Sequence, residues 1–242
     1  MTEKIIEIKG LNYSYPDGVP ALRAVDIDIY EGESIGVIGP NGAGKSTLLL
    51  HLNGILRGQG TVKVFGLEMK DENLKKIRSK VGLVFQDPEA QLFMPTVFDD
   101  VAFGPINMEM RKEKVKEQVD KALAEVDMSG SEKRAAHHMS FGEKKRVSIA
   151  TVLSMEPRIL VFDEPTSNLD PKHRRGLINL LKRLKPTKIV ATHDLDMVAE
   201  VCSRVILLDR GEIAASGQTL EILKDKKLLE AHSLELPPSI SK

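Results

Sequence analysis

The chain has one cysteine, no net charge and no long apolar run, and each shortage excludes a class of protein. A lone cysteine, Cys202, cannot form an internal disulfide, so we interpret it as a small core residue. The 35 basic residues are balanced by 35 acidic ones, which argues against a nucleic-acid partner held by bulk attraction. No stretch approaches the ~18 apolar residues of a membrane span. Charges at Glu3 and Lys4 also argue against a signal peptide, so we expect any membrane to be met from the aqueous side.

The order of patterns along the 242 residues predicts one α/β domain. Short alternating or apolar strand patterns fill the first third and return in the last third, where they alternate with helix patterns. Between them, Lys112–Val126 has apolar residues at spacings of 3 and 4, which indicates an amphipathic helix. Alternating strands and helices predict a parallel sheet with helices on its faces. We expect a single domain over residues 1–242, a helical subdomain inserted at about 88–157, and a loose tail around Leu236–Ser239.

A phosphate-loop pattern, G-x-x-x-x-G-K-S, spans residues 39–46 between a strand pattern and a helix pattern. Its glycines let backbone N–H groups converge on phosphate oxygens, and the helix N-terminus adds the positive end of its dipole. Lys45 would place its charge on the outer phosphates, Ser46 would ligate Mg²⁺, and Thr47 would contact the α-phosphate. The nucleotide-binding residues predicted here are Gly39, Pro40, Asn41, Gly42, Ala43, Gly44, Lys45, Ser46 and Thr47.

Two adjacent carboxylates follow a second apolar strand pattern. The run from Arg158 to Phe162 leads directly into Asp163 and Glu164, at the strand end where open α/β sheets bind ligands. Asp163 would hold Mg²⁺, and Glu164 would polarise the water that attacks the γ-phosphate. Together with the phosphate loop, these carboxylates predict a P-loop NTPase.

The segment Met139–Glu143 resembles the LSGGQ signature of ABC-type ATPases. Ser140 and Gly142 match that signature, whereas Met139, Phe141 and Glu143 depart from it. The same S-x-x-E spacing is typical of a capping box, in which Ser140 and Glu143 cap a helix. Both interpretations stay open, because a capped helix end can also serve as an anion site.

Other pieces of the ABC pattern follow in the family's order. Tyr15 resembles the aromatic residue that stacks on adenine, with nearby Tyr13 as the alternative. Gln86 resembles the Q-loop glutamine, which would reach Mg²⁺ and water. Asp170 ends a segment that resembles the D-loop, which crosses to a partner subunit. His193 resembles the switch histidine, which would contact the γ-phosphate.

The resemblance runs from Tyr15 to about Gly217 and implies a RecA-like P-loop NTPase core. Such a core has a mostly parallel sheet, an N-terminal antiparallel β subdomain and an inserted helical subdomain. The implied activity is hydrolysis of ATP with Mg²⁺ by two subunits, identical or paralogous, that sandwich two ATP molecules. Each ATP would lie between the phosphate loop of one subunit and the Ser140–Gly142 region of the other. The implied catalytic residues are Glu164, His193 and Gln86, the implied metal ligands are Ser46, Gln86 and Asp163, and Asp170 joins the nucleotide contacts.

A narrower resemblance covers Gln86–Val97 and Asp100–Pro105. It is to cobalt, nickel and vitamin importers of the energy-coupling-factor type, and most of all to a cobalt-importer ATPase. It implies a peripheral location at the cytoplasmic face of the membrane, with an integral membrane subunit docked near Gln91–Pro105. Leu92, Phe93 and Phe103 would then be docking residues; the simpler alternative is that they pack within the subdomain.

The favoured function is therefore the ATPase of a cobalt or nickel importer. A vitamin importer and a soluble, non-transporting ABC-type ATPase are the alternatives. A P-loop kinase or GTPase is a weaker one, because the chain lacks the guanine-reading Asn-Lys-x-Asp motif.

Overall fold

The computed structural model describes residues 3–241, and its N-terminal part is an antiparallel sheet. Its strands are β1 Lys4–Ser14, β2 Pro20–Tyr30, β4 Gln59–Val64 and β5 Leu67–Glu68. They are ordered β2-β1-β4-β5, and each neighbouring pair runs antiparallel. The predicted N-terminal antiparallel subdomain is thus confirmed.

A six-stranded, mostly parallel sheet forms the centre of the molecule. Its strands are β3 Ser34–Ile38, β6 Val81–Val84, β7 Ile159–Asp163, β8 Thr187–Ala191, β9 Arg204–Asp209 and β10 Glu212–Gln218. The order is β10-β9-β3-β8-β7-β6, with only β10 antiparallel to its neighbour. This confirms the predicted parallel sheet and aligns the carboxyl ends of β3, β7 and β8 along one edge.

Nine α-helices occur within residues 3–241. They are α1 Lys45–Leu52, α2 Asp71–Arg78, α3 Val97–Asn107, α4 Lys112–Glu125, α5 Phe141–Leu153, α6 Pro171–Arg183, α7 Leu195–Val201, α8 Thr219–Lys224 and α9 Lys226–Ala231. Helices α3, α4 and α5 lie between β6 and β7 in the chain and pack on one another. The helical insertion is therefore where the sequence suggests, and its limits at about 88–157 stay a prediction.

Except at the edge strand β10, both faces of the central sheet are buried, which explains its apolar strand sequences. In β7, Ile159 and Val161 face the antiparallel sheet and α1, whereas Leu160 and Phe162 face the helices on the other side. Alternate residues of a strand point to opposite faces, so a strand covered on both sides must be apolar throughout. This rigid sheet fixes the positions of the loops at its carboxyl edge.

Cys202 lies in the core behind β3, as the sequence predicts. Its exposed fraction is 7%, and burial raises the pKa of its thiol to about 12. Helix α7 packs so closely here that a Cβ added to Gly36 would lie 2.8 Å from Val198 Cγ1 and 3.5 Å from the Cys202 sulfur.

The prediction of a loose tail around Leu236–Ser239 is wrong. Leu236 packs against the core, Pro237 is buried, and the Ser239 N–H donates to the Asp196 carboxylate at 3.0 Å. The prolines prevent a regular helix or strand, but the apolar surface of this segment still drives it onto the protein. Among residues 3–241, no helix has both the length and the apolar character required to cross a membrane.

Candidate functional site

A cleft of about 470 Å³ opens at the carboxyl edge of the central sheet. It brings together predicted site residues that are far apart in the sequence. Those lining it are Tyr15, Asn41, Gly42, Ala43, Gly44, Lys45, Ser46, Thr47, Gln86, Glu164 and His193. Gly39 and Pro40 begin the loop, and Asp163 is bonded to Ser46 beside the cleft. Ser140, Gly142 and Asp170 lie outside this cleft.

The phosphate loop needs glycine at two positions for steric reasons. Gly39 has φ +150°, and a Cβ there would overlap the carbonyl oxygen of Leu208. Gly44 has φ +102°, and its Cβ would lie 2.5 Å from the carbonyl oxygen of Ala21. Glycine alone adopts such conformations so close to other backbone. The loop therefore wraps tightly against the sheet and turns the N-terminus of α1 toward the cleft.

Lys45, the first residue of α1, folds its side chain back into the loop. Its ammonium is buried and donates to the carbonyl oxygens of Gly39 at 2.8 Å and Pro40 at 3.1 Å. Burial lowers the pKa of Lys45, while Glu164 and Asp163 act in the opposite direction. A phosphate oxygen accepts a stronger hydrogen bond than a carbonyl does. The ammonium is therefore well placed to bind an anion in the loop.

Ser46, Asp163 and Gln86 bring polar side-chain oxygens to the cleft and its edge. The Ser46 hydroxyl donates to Asp163 Oδ1 at 3.0 Å, and Gln86 lines the same cleft. Burial raises the pKa of Asp163, and its hydrogen bond from Ser46 acts in the opposite direction. Hydroxyl, carboxylate and amide oxygens are the ligands that Mg²⁺ prefers, so these residues fit the ion that the sequence predicts.

Glu164 is held in place from the neighbouring strand β8. Its Oε2 accepts from the Thr192 hydroxyl at 2.9 Å and from the His193 N–H at 3.4 Å, and His193 Nδ1 lies 2.9 Å away. The backbone of Glu164 has φ +42°, an unusual value for a residue with a side chain, and its N–H donates to the Ala191 oxygen at 2.8 Å. The sequence analysis missed Thr192, whose only signal is its position between β8 and His193.

Tyr15 is the aromatic residue of the cleft, and Tyr13 supports it from behind. The Tyr15 hydroxyl lies 2.7 Å from Thr47 Oγ1, and the phosphate contact of Thr47 stays a prediction. Tyr13 packs edge-on against Tyr15, with ring centroids 5.3 Å apart, and against His51 at 4.9 Å. Since Tyr13 does not line the cleft, the geometry favours Tyr15 as the base-stacking residue.

Ser140 and Glu143 form the capping box at the start of α5. Ser140 Oγ accepts from the Glu143 N–H at 3.3 Å, and Glu143 Oε2 accepts from the Ser140 N–H at 2.8 Å. Arg134, which the sequence analysis missed, donates to Glu143 Oε1 at 2.7 Å. The arginine and the cap lower the pKa of Glu143 to about 2. Glu143, which stands where the family signature has glutamine, thus has its carboxylate folded back onto the helix start and paired with Arg134.

Asp170 caps α6 within its own chain. It accepts from the N–H groups of Lys172 at 2.9 Å and His173 at 3.0 Å, and it pairs with the His173 ring. The same ring packs against Gly142, where a Cβ would lie 2.7 Å from it. The Ser140 end of α5 and the Asp170 end of α6 are therefore neighbours on one surface.

Lys145, on α5, is a buried lysine that the sequence analysis did not single out. Its exposed fraction is 1%, and its ammonium donates to the carbonyl oxygens of Gln86 and, at 3.4 Å, Phe85. Burial lowers the pKa of Lys145 to about 8. Its helical spacing from Ile149 and Val152 does place it on the buried face of α5, which is the signal that was available.

The residues predicted to dock a membrane partner have two different environments. Phe93 and Phe103 are 63% and 45% exposed, and their rings meet edge to face with centroids 5.1 Å apart. Leu92 instead packs against the core. Gln91 accepts from the Phe85 N–H at 3.2 Å and donates to α5, so it joins the end of β6 to that helix. Leu92 and Gln91 are half-buried, and the docking of a membrane partner near them stays a prediction.

Beside these phenylalanines lies a groove of about 780 Å³ between α2 and α3. Asp100 is part of its wall and is 3% exposed. Its Oδ1 accepts from the N–H groups of Phe93 and Met94 at 2.9 and 3.0 Å, while its buried Oδ2 has no hydrogen-bond partner among residues 3–241. Burial raises the pKa of Asp100. The opposite rim carries the basic side chains Lys75, Lys76 and Arg78.

Comparison with known proteins gives a consistent result. The family model described as "ABC transporter" matches residues 22–167. The chain is 49% identical over 239 residues to the energy-coupling factor transporter ATP-binding protein EcfA of Methanothermobacter thermautotrophicus, covering 96% of this chain and 77% of that protein. The structure of cbiO1 from Clostridium perfringens, part of the ABC transporter complex cbiONQ, has a TM-score of 0.83 at 37% identity, covering 95% of this chain and 94% of that one. A dimeric, post-hydrolysis structure of the ATP-binding cassette MJ0796 with ADP and Pi has a TM-score of 0.78 at 28% identity, covering 89% and 99%. These likenesses confirm the predicted P-loop NTPase fold.

Proposed function

This chain belongs to the ABC transporter family of ATPases, and we propose that it is the ATP-hydrolysing subunit of an energy-coupling-factor type importer at the cytoplasmic face of a membrane. The observation that carries the proposal is the cleft at the carboxyl edge of the sheet. There the phosphate-loop lysine, the Ser46–Asp163 pair and the Glu164–His193 pair surround one open space. Each group has a separate part in phosphoryl transfer to water.

The chain's own residues divide the work as follows. Tyr15 stacks on the base, and Lys45 and the loop N–H groups bind the phosphates. Ser46, Asp163 and Gln86 would hold Mg²⁺, which when bound would neutralise charge on the phosphate oxygens. Glu164 accepts a proton from the attacking water, and Thr192 keeps its carboxylate directed into the cleft. His193, whose Nδ1 lies 2.9 Å from Glu164 Oε2, contacts the γ-phosphate.

Two cassettes are needed to complete each site. Ser140 and Gly142 lie outside the cleft of their own chain, so they can reach a nucleotide only on a second cassette. The N-terminus of α5 offers a positive dipole end for a γ-phosphate. Because the Glu143 carboxylate is paired with Arg134, it repels a γ-phosphate at this helix end less than an unpaired carboxylate would. Asp170 lies beside that surface, which suits a contact across the interface. The second cassette is an identical chain or a paralogue.

The groove beside Phe93 and Phe103 suits a helix of the membrane subunit. Exposed aromatic rings on a folded chain are costly unless a partner covers them. The unpartnered oxygen of Asp100 would accept a hydrogen bond from a basic side chain of that helix. This surface adjoins Gln91, which is bonded to the end of β6 just before Gln86. Movement at the groove can therefore reach the nucleotide cleft.

Cobalt or nickel is the substrate we propose, with a vitamin as the second candidate. The segment Gln86–Pro105 resembles ATPases of both kinds, and the likeness to cbiO1 favours the metal ions. The ATPase subunit does not contact the transported substrate in this arrangement. Its own residues therefore determine which membrane subunit it binds, and not which substrate is transported.

The test is uptake by the intact complex. Labelled Co²⁺, Ni²⁺ and a set of vitamins are offered to vesicles that contain the chain with its co-purified membrane subunits. Phe93→Ser should keep the ATPase activity of the isolated chain and lose both the membrane subunits and uptake. Leu220→Ser is the matched control, since Leu220 is another exposed apolar residue, on α8. Normal assembly and uptake with Phe93→Ser would reject the docking surface.

A further inference from the structure

Lys145 is a buried cation that the proposed chemistry does not use. Burying an ammonium costs free energy unless acceptors replace its water, and here it has two carbonyl oxygens for three N–H groups. An apolar side chain of similar length would fill this place on α5 with less cost. We therefore expect the burial of this charge to have a functional reason.

The position of Lys145 connects two parts of the site. It lies on α5 five residues after Ser140, about 7.5 Å along the helix axis. Its ammonium donates to the backbone of the Phe85–Gln86 segment, where the chain leaves β6. The negative charges that face it are Asp87, beyond that segment, and Asp163 and Glu164, at the end of β7. Lys145 thus bonds the helix that starts at Ser140 directly to the loop that carries Gln86. Gln91 adds a second, separate link from Phe85 to the same helix.

Phe141 completes this arrangement. It stands where the family signature has a small residue, and its ring centroid lies 5.9 Å from the Lys145 ammonium. The half-buried ring shields the ammonium from water on the side nearest Ser140. A shielded hydrogen bond between a cation and a carbonyl is stronger than an exposed one. The departure at Phe141 therefore strengthens the bond between α5 and the Gln86 loop.

We infer that Lys145 is a positioning residue that makes the Gln86 loop and the Ser140 end of α5 move as one unit during ATP hydrolysis. The inference rests on the proposed roles of Gln86 and Ser140. Gln86 acts on the ATP of its own chain, whereas Ser140 acts on the ATP of the partner cassette. A rigid connection between them ties the state of one nucleotide site to the geometry of the other.

The experiment measures kcat and KM for ATP in Lys145→Met, Lys145→Arg, Gln86→Ala and the double variant Lys145→Met/Gln86→Ala. Lys145→Met should lower kcat about tenfold and leave KM within about twofold, because Lys145 does not line the cleft. Lys145→Arg keeps a charged donor and should recover most of kcat. The double variant should be no slower than Gln86→Ala alone, because a tether has no effect once the residue it positions is gone.

Lys188→Met is the matched control. Lys188 is also a buried lysine, and it donates to the Leu184 oxygen at 2.6 Å, but it lies near the amino end of β8, away from the cleft. Its removal should leave kcat unchanged. The inference would be overturned if Lys188→Met lowered kcat as much as Lys145→Met does. It would also be overturned if only Lys145→Met had a lower unfolding temperature and that loss of stability accounted for its lower kcat.

The remaining outcomes separate the inference from the proposed site. Wild-type kcat in Lys145→Met, with Gln86→Ala impaired, would reject the tether and leave the site intact. The tether would also be rejected if the kcat losses of the two single variants multiplied in the double variant, since Lys145 would then act independently of Gln86. Unchanged hydrolysis in Gln86→Ala would instead reject the role of Gln86 in the proposed site.

Discussion

Replacing Glu164 by glutamine isolates the charge of the proposed general base. The shape of the side chain is kept, and its amide oxygen can still accept from the Thr192 hydroxyl, now at 2.9 Å from the carboxylate. ATP should still bind, because Lys45, Ser46 and Asp163 are unchanged. Loss of a general base slows a reaction ~10²–10⁴-fold, which is about 3–5 kcal/mol of barrier. Hydrolysis should therefore fall by that factor at nearly constant ATP affinity.

Two measurements follow from this change. Phosphate release gives the rate, and size-exclusion chromatography gives the association state. Hydrolysis is what removes the γ-phosphate from between two cassettes, so the Glu164→Gln chain should elute as a dimer when ATP is added, with the wild-type chain mostly monomeric. Adding Ser140→Arg should abolish that dimer, since the longer side chain fills the space that the γ-phosphate needs.

Ser239→Arg in the same background is the control, because it adds an equal charge at an exposed serine near the C-terminus. This dimer should persist. A dimer that survives Ser140→Arg would show that the Ser140 region is only a helix cap, and the two-cassette site would have to be abandoned. A Glu164→Gln chain that hydrolyses ATP at the wild-type rate would remove Glu164 from the chemistry.

Two further changes probe single contacts. Lys45→Ala should abolish ATP binding and hydrolysis while circular dichroism shows an intact fold, because the buried ammonium contacts only loop carbonyls; near-normal binding by the folded variant would reject the phosphate loop. Glu143→Gln keeps the helix cap but loses the ion pair with Arg134, and should lower the free energy of unfolding only slightly at pH 7, because the pair is largely solvated. The folded-state pKa of Glu143, about 2, lies below its ordinary 4.5, so this difference should be complete above pH 4.5 and vanish as the pH falls to 2; a pH-independent difference in urea titrations would contradict it.

The sequence predicted those parts of the site that a short segment determines by itself. The phosphate loop follows from glycines that the backbone needs, and Asp163 and Glu164 follow from a strand that must be apolar up to its end. The central sheet and the helices between β6 and β7 follow from hydrophobic periodicity for the same reason, whereas the antiparallel sheet was expected only from the resemblance to ABC-type ATPases. In each case the information lies within about ten residues of the chain.

The errors and omissions concern residues whose environment comes from distant segments. Lys145 looks like one more surface charge until β6 is placed against α5. The bonds of the Gln91 amide to Ser148 and Thr151 likewise join segments that are far apart in the sequence. The tail looked loose because proline prevents regular structure, but no local pattern could show that α7 would offer it a surface. Such contacts require the fold to be known first.

The buried thiol of Cys202 has a practical use. With a pKa of about 12, roughly one thiol in 10⁵ is ionised at neutral pH, and only the ionised form reacts with maleimides. A cysteine introduced on the surface would therefore take a fluorophore or spin label selectively, with the native residue left in place. Labels at Ser239 in each of two cassettes would report their separation during turnover in a protein whose core is unaltered.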